Sequence, residues 1–580
     1  MTPEGQSWPK VMSIGLQPPD VRGMALPDIA RTVIETVASH LETSEPVRGY
    51  LEQLPKGPGT SCPDSPLPEL VSHVARMVGA QGIDKSNPLI NLGWLREIMC
   101  PVFQLERQVL RQSIESAQTD GLLLANRDRV LLTHGFTLAE QVDQLFLALF
   151  HQLVVPYQSL SEDERKRFAQ DVSTQLPEYD YTTYEIQEED GHYRVVGRVP
   201  WAVALPSEIE AVCATLHNLI VALSCEETEM DHYFRRLLLA YDCREVGLLE
   251  ERWAEVDQAW IQLLGNFPLI PVHGIETYNC PCAVQPEFRL EFRTSEDAGL
   301  INEVKLKTGT VASEVLNLPP ETVERIDRRM KNTDMAIFVG GIKSGFGLNF
   351  PTSGQSAPNR QEVQDIGARI FVTPMREAKA LEIYQDLAKR YCDPETAAHA
   401  QRLLTTKELR LHIFVHECAH PLGRSAEIDA ALGEMSDELE EAKASLVGML
   451  TAELIDNSVE SRQARTAQGA IRCIRFFQKN AMNNPSVAPY VRENMVAAIT
   501  LMDAGVLTLA TDGVHIDWEV AGTDAWTKEL SRFGSAITSA YASRMPKAVS
   551  DVAYCYYDHG DPRLQALIDW CQRETEAVAA

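Results

Sequence analysis

A chain of 580 residues is too long for one ordinary hydrophobic core, so two or three lobes are expected. With 44% hydrophobic and 23% charged residues, its make-up is that of a globular enzyme and excludes a disordered or fibrous chain. A formal charge of -29 repels phosphate backbones and anionic lipid, which sets aside nucleic-acid and membrane partners.

The opening residues, MTPEGQSWPK, show no basic stretch followed by an apolar one, so no secretory signal is read there. Pro55-Lys56-Gly57-Pro58-Gly59 marks a loop. Residues 65–175 carry helical periodicity, as in Val102, Leu105 and Val109 after Pro101. The run from Leu145 to Val155 is short and contains His151 and Gln152, which predicts a core helix instead of a membrane span. Tyr181–Ile186 and Tyr193–Val199 flank Glu189-Asp190-Gly191 and predict a hairpin, because glycine accepts the backbone of a tight turn. Residues 205–265 read as helix. Residues 268–375 read as short strands among Gly and Pro turns, with Ala336–Val339 and Ala368–Val372 as examples. From 376 to 510 the pattern is again helical, Val506–Trp518 predicts a small hairpin around Asp512-Gly513, and the tail is helical. Twelve cysteines without framework spacing point to reduced, mostly buried thiols and a cytoplasmic setting; the CxC pair Cys280 and Cys282 carries too little pattern to read as a metal site. The fold class is α+β: a lobe with a β core over 1–375, a helical lobe over 376–510, and a C-terminal segment, 511–580, expected to pack back on the first lobe.

The chemistry concentrates at His416-Glu417-Cys418-Ala419-His420. Thr405 and Glu408 form a capping box, Leu409, Leu411, Ile413, Phe414 and Val415 make the following helix apolar, and Pro421 and Gly423 end it. Histidines four residues apart project from one helical face and can chelate one ion, and zinc suits that donor set. Glu417 lies beside them, where it can take a proton from a water activated by the metal. A third protein ligand is needed. The next helix, capped by Ser436 or Asp437 and apolar at Leu439, Leu446, Val447, Leu450 and Leu454, carries Glu440-Glu441-Ala442-Lys443-Ala444-Ser445. Glu427, Asp429, Glu434 and Glu438 are also within range, and a solvated acidic face accounts for the same run. Val339–Gly347 lacks the glycine before Lys343 that a phosphate loop needs and reads as a flexible turn. Ser353-Gly354-Gln355-Ser356 is a loop and no nucleophile elbow, and His273, His412 and His559 read as core or surface histidines.

His-Glu-x-x-His followed by Glu-Glu-Ala-Lys-Ala-x-x-Val-Gly resembles the dipeptidyl-peptidase III family of zinc peptidases, in particular its shorter branch. Ile275-Glu276-Thr277-Tyr278 resembles the family's Ile-Glu-x-Tyr segment and Leu348-Asn349-Phe350-Pro351 its Ile-Asn-Ile-Pro segment, so the match runs over about 265–510. The resemblance implies two lobes, a lower one with a β-barrel-like core and a helical upper one carrying Zn2+, with a wide cleft between. It implies His416, His420 and Glu441 as zinc ligands, Glu417 as general base and Tyr278 as a hydrogen-bond donor to the substrate carbonyl. Glu276 and Asn349 would hold the substrate's amino terminus. Tyr490 falls where the family has a histidine that assists the transition state, with Arg492 beside it as a substrate-binding side chain.

The departures are specific. Ser445 stands where the family has an acid that orients a zinc histidine, and Thr352 replaces the second asparagine of an amine-binding pair. Arg289 takes the place of an acid, although Glu287 and Glu291 are close. Three functions follow as expectations: a zinc hydrolase cleaving a peptide or amide bond, a zinc enzyme acting as Lewis acid on a non-peptide small molecule, and a catalytically silent binding protein.

Overall fold

The computed structural model describes residues 8–53, 100–159, 181–189, 192–224, 228–265, 267–273, 286–345, 354–358, 366–372, 375–422, 431–484, 487–557 and 560–579, with single positions between these blocks. The chain is α+β and divides into two compact units. One comprises Met1–Thr294, Phe338–Pro351 and Ala357–Val363; the other comprises Ser295–Ile337, Thr352–Ser356 and Gln364–Ala580.

The first unit contains the antiparallel hairpin β1 (Thr182–Glu189) and β2 (His192–Pro200), with a register shift between Glu185 and Ile186. The expected turn at Asp190-Gly191 lies outside the described residues. Its principal helices are α1 (Cys100–Thr119), α2 (Asn126–Ser159), α3 (Pro206–Leu223), α4 (Thr228–Tyr241) and α5 (Val246–Ile261). Leu145, Phe146 and Leu149 are buried in α2, as a core helix requires, and no described helix is long and apolar enough to cross a membrane.

Strands β3 (Leu269–His273) and β4 (Glu287–Thr294) pair antiparallel and begin a five-stranded sheet of order β3-β4-β5-β7-β6. Pro271 is tolerated because β3 is an edge strand, and its carbonyl accepts from Trp260 Nε1 at 2.6 Å. His273 is a core histidine. It is fully buried, bonded through Nδ1 to Tyr233 Oη at 3.1 Å and through Nε2 to Asp257 Oδ1 at 2.7 Å, while Arg360 Nε lies 2.8 Å from Asp257 Oδ2.

Strand β5 (Asp334–Gly345) passes from the second unit into the first, and its early residues pair parallel with β7 (Arg369–Val372); β6 is Gly354–Ala357. The expected flexible turn at Val339–Gly347 is therefore corrected: through Gly345 it is buried strand. Gly341 is there because β4 runs against it; a Cβ would collide with the Leu290 carbonyl.

The second unit opens with α6 (Ala298–Thr310) and α7 (Pro320–Lys331), where short strands and turns were expected. Glycines and threonines in α6 mask its periodicity. The signals for α7 were present: Pro320 in its first turn, and Arg328, Arg329 and Lys331 in its last. There follow α8 (Met375–Tyr391), α9 (Thr406–Ala419), α10 (Glu434–Ile455), α11 (Val459–Phe476), α12 (Ala488–Asp503), the hairpin β8 (Leu507–Ala510) and β9 (Gly513–Ile516), and α13 (Ala525–Ala542). Residues 511–580 fall in this unit. The reason is apolar: Trp526, Leu530, Phe533 and Ile537 of α13 enter the core that also holds Leu446, Val447 and Leu450 of α10. Cys392, Cys418, Cys473 and Cys571 are buried thiols.

Helix α9 starts as its capping box predicts, with Thr405 Oγ1 accepting from the Glu408 amide at 3.3 Å. Helix α10 starts at Glu434, before the caps expected at Ser436 or Asp437, and Ser436 is buried in its first turn. The two helices meet at Gly448, where a Cβ would stand 2.7 Å from the Val415 carbonyl oxygen. Helix propensity alone favours alanine over glycine by about 1 kcal/mol. The backbone contact should win, so Gly448→Ala is expected to destabilise the second unit by about 1–3 kcal/mol in a denaturant titration. A neutral or stabilising result would show that the helices do not need this approach.

Candidate metal centre

Helix α9 presents His416 and His420 one turn apart, with ring centroids 4.8 Å from each other and planes at 86°. Helix α10 brings Glu441, Ser445 and Gly448 toward it at helical spacings of four and three. Among the described residues, the one group of metal-ligating side chains is His416, His420 and Glu441, whose donor atoms lie within 4.8 Å of one another. Glu441 Oε2 is 3.3 Å from His416 Nε2 and, though buried, makes no well-formed hydrogen bond.

The outer contacts decide which ring nitrogens are free. His416 Nδ1 and Ser445 Oγ share a hydrogen bond of 2.8 Å, and His420 Nδ1 donates to Glu440 Oε1 at 2.9 Å. Both Nδ1 atoms are thus engaged and both Nε2 atoms are left for a ligand. Burial disfavours a charged ring at His416. The Glu441 carboxylate beside the ring, then the charges of Glu417 and Glu493, outweigh it and raise the ring to about 9. Burial likewise disfavours ionised Glu441, and His416 overrides it, holding the carboxyl below its usual range. Two imidazole nitrogens and a carboxylate whose donor atoms lie this close together are a donor set that suits a divalent metal cation.

Glu417 is buried, with Oε2 3.9 Å from His420 Nε2. Tyr490, at the start of α12, is 36% exposed and stacks on Phe476 with centroids 5.8 Å apart. The negative charge of Glu441, then burial and Glu493, push its phenol far above the usual range, so the hydroxyl stays protonated. Arg492 is placed with Nε 3.6 Å from Glu438 Oε2. Tyr278, Glu276, Asn349 and Thr352 lie outside the described residues. In the first unit, Arg289 is buried with Nε 2.6 Å from Glu287 and Nη1 3.6 Å from Glu291.

Two parts of the site went unread in the sequence. Glu440 orients His420, although Glu441 beside it drew attention as the ligand. Glu493 is buried and paired with Arg472 at 2.6 Å, and its charge adds to those that favour the protonated His416 ring; Glu493 and His416 are on different helices, so no local spacing links them. His412 is a core histidine as expected, kept neutral by burial, then by Arg472 and His416.

Ser445→Ala removes the hydroxyl from His416 Nδ1 and is expected to weaken metal binding by roughly 10-fold or more, read by competition between the protein and a chromophoric chelator for added zinc. Unchanged affinity would show that packing alone orients the ring.

No protein-family model matches the sequence, and no curated protein matches it. The chain is similar in structure to DPP III from Caldithrix abyssi, with a TM-score of 0.53 and 14% identity over 78% of this chain and 93% of that one. It is also similar to dipeptidyl-peptidase III from Corallococcus sp. strain EGB, with a TM-score of 0.48 and 15% identity over 74% and 78% of the two chains. The first likeness shows that the chain has a DPP III-like fold.

Proposed function

We propose that this chain is a zinc-dependent hydrolase of the dipeptidyl-peptidase III type, cleaving a peptide or amide bond. The observation that carries the reading is the His416, His420 and Glu441 donor set with the Glu417 carboxylate beside it. Its setting in a DPP III-like fold supports it. Zinc, when bound there, supplies a Lewis acid that polarises a carbonyl and makes a water more acidic. Ser445 and Glu440 hold the two imidazoles in the tautomer that offers Nε2. Glu417 takes the proton from the attacking water and passes it to the leaving amine. The Tyr490 hydroxyl, held protonated, donates a hydrogen bond to the developing oxyanion.

One observation favours a second reading, a relative acting on a non-peptide small molecule. A dipeptidyl peptidase holds its substrate's ammonium with acids. Here Glu287 and Glu291, the acids nearest the position that Arg289 occupies, are both engaged by that arginine. Their charge is thereby offset, which weakens amine recognition.

The test is zinc analysis of the purified protein followed by incubation with a peptide library. The expected outcome is near-stoichiometric zinc and release of dipeptides, with Glu417→Gln keeping the zinc while lowering turnover by about 10²–10⁴-fold. Bound zinc with every peptide intact would sink the peptidase reading in favour of the small-molecule one. Absence of zinc uptake would sink both.

A further inference from the structure

Lys443 is 0% exposed, and a lysine is almost never buried so fully unless it is paired. It stands on α10 one turn after Glu440. Its Nζ lies 2.8 Å from Glu440 Oε2 and donates to the His420 carbonyl at 2.7 Å, with the Tyr541 ring centroid 5.7 Å away. The other oxygen of the same carboxylate, Glu440 Oε1, accepts from His420 Nδ1. One cation therefore reaches His420 by two routes, through its main chain and through its ring.

The two metal-facing histidines differ in what holds them. His416 lies inside α9, where the helix fixes its backbone, and a neutral hydroxyl suffices for its ring. His420 is the C-cap of α9, at the end where the last carbonyls have no partner within the helix. Burying a cation in order to pack a core is costly, and an apolar side chain of similar volume would do that better. Here the ammonium meets the His420 carbonyl and the carboxylate that bonds the His420 ring.

We propose that Lys443 is a positioning residue for the metal centre, fixing the orientation of the helix-terminal ligand His420 through Glu440 and through the His420 carbonyl. This rests on the metal-binding reading given above.

The experiment measures zinc affinity by chelator competition, the visible spectrum of the cobalt-loaded protein, and the fold by circular dichroism. The proteins compared are the wild type, Lys443→Met, Lys443→Arg, Glu440→Gln and the Lys443→Met/Glu440→Gln double variant. Lys443→Met is expected to weaken zinc binding by roughly 10–100-fold and to change the cobalt bands, with the fold retained. Lys443→Arg should restore most of that loss. The double variant should lose no more than the larger single, because both act along one relay. Wild-type affinity in Lys443→Met, or losses that add in the double variant, would overturn the proposal. Should Lys443→Met fail to fold, wild-type affinity in Glu440→Gln overturns it, and a loss there that is absent in Lys443→Arg supports it. A wild-type protein that takes up no zinc overturns the metal reading and this one together. Zinc binding that is indifferent to Lys443 overturns this one alone.

Discussion

The candidate metal centre depends on a backbone contact. Side chains on two helices bring three donor atoms within 4.8 Å only if the helices themselves come close, and at Gly448 the α10 backbone lies against the Val415 carbonyl of α9. That carbonyl belongs to the residue just before His416. The same approach that removes the side chain at 448 sets Ser445 and Glu441, one and two turns earlier, against the histidines. Packing and chemistry are here one constraint: a helix pair spaced more widely would still bury its leucines but would leave Glu441 out of reach.

Around that contact the support is asymmetric. His416 is held by an uncharged hydroxyl, and His420 by a carboxylate that is itself braced by a buried ammonium. An acid at 445 would add a negative charge beside a cluster that already holds Glu417, Glu440, Glu441 and Glu493. With serine there, the ring keeps its orientation without the added charge. Ser445 thus orients the His416 ring through a 2.8 Å hydrogen bond while adding no charge to the centre.

Buried charge is handled in the same manner in the first unit. Asp257 is met by both His273 and Arg360, and Asp143 by Arg107 and the Gly345 amide. Arg289 lies between Glu287 and Glu291. Each of these carboxylates has a cation or a backbone donor, as the cost of burying an unpaired charge requires. The acids of β4 therefore serve the packing of their own sheet.

Much of the site was legible because it is local. The four-residue spacing of His416 and His420, the Thr405 cap, and the Glu440–Ser445 run each depend on one helix, whose geometry places side chains by arithmetic. The hairpins at β1–β2 and β8–β9 were legible for the same reason, from alternation and a turn. What the chain could not show by itself was which acid meets which histidine, since Glu440 and Glu441 are adjacent and equally acidic, and only the docking of α10 on α9 sets Glu440 against the His420 ring and Glu441 beside His416 Nε2. Nor could it show that 339–345 is strand, because its glycines signal a turn until β4 lies against them. The assignment of 511–580 to the second unit depended on where α13 finds apolar surface. Sequence determined the donors and the helices that carry them; tertiary structure decided their partners, because those pairings join residues that no local period connects.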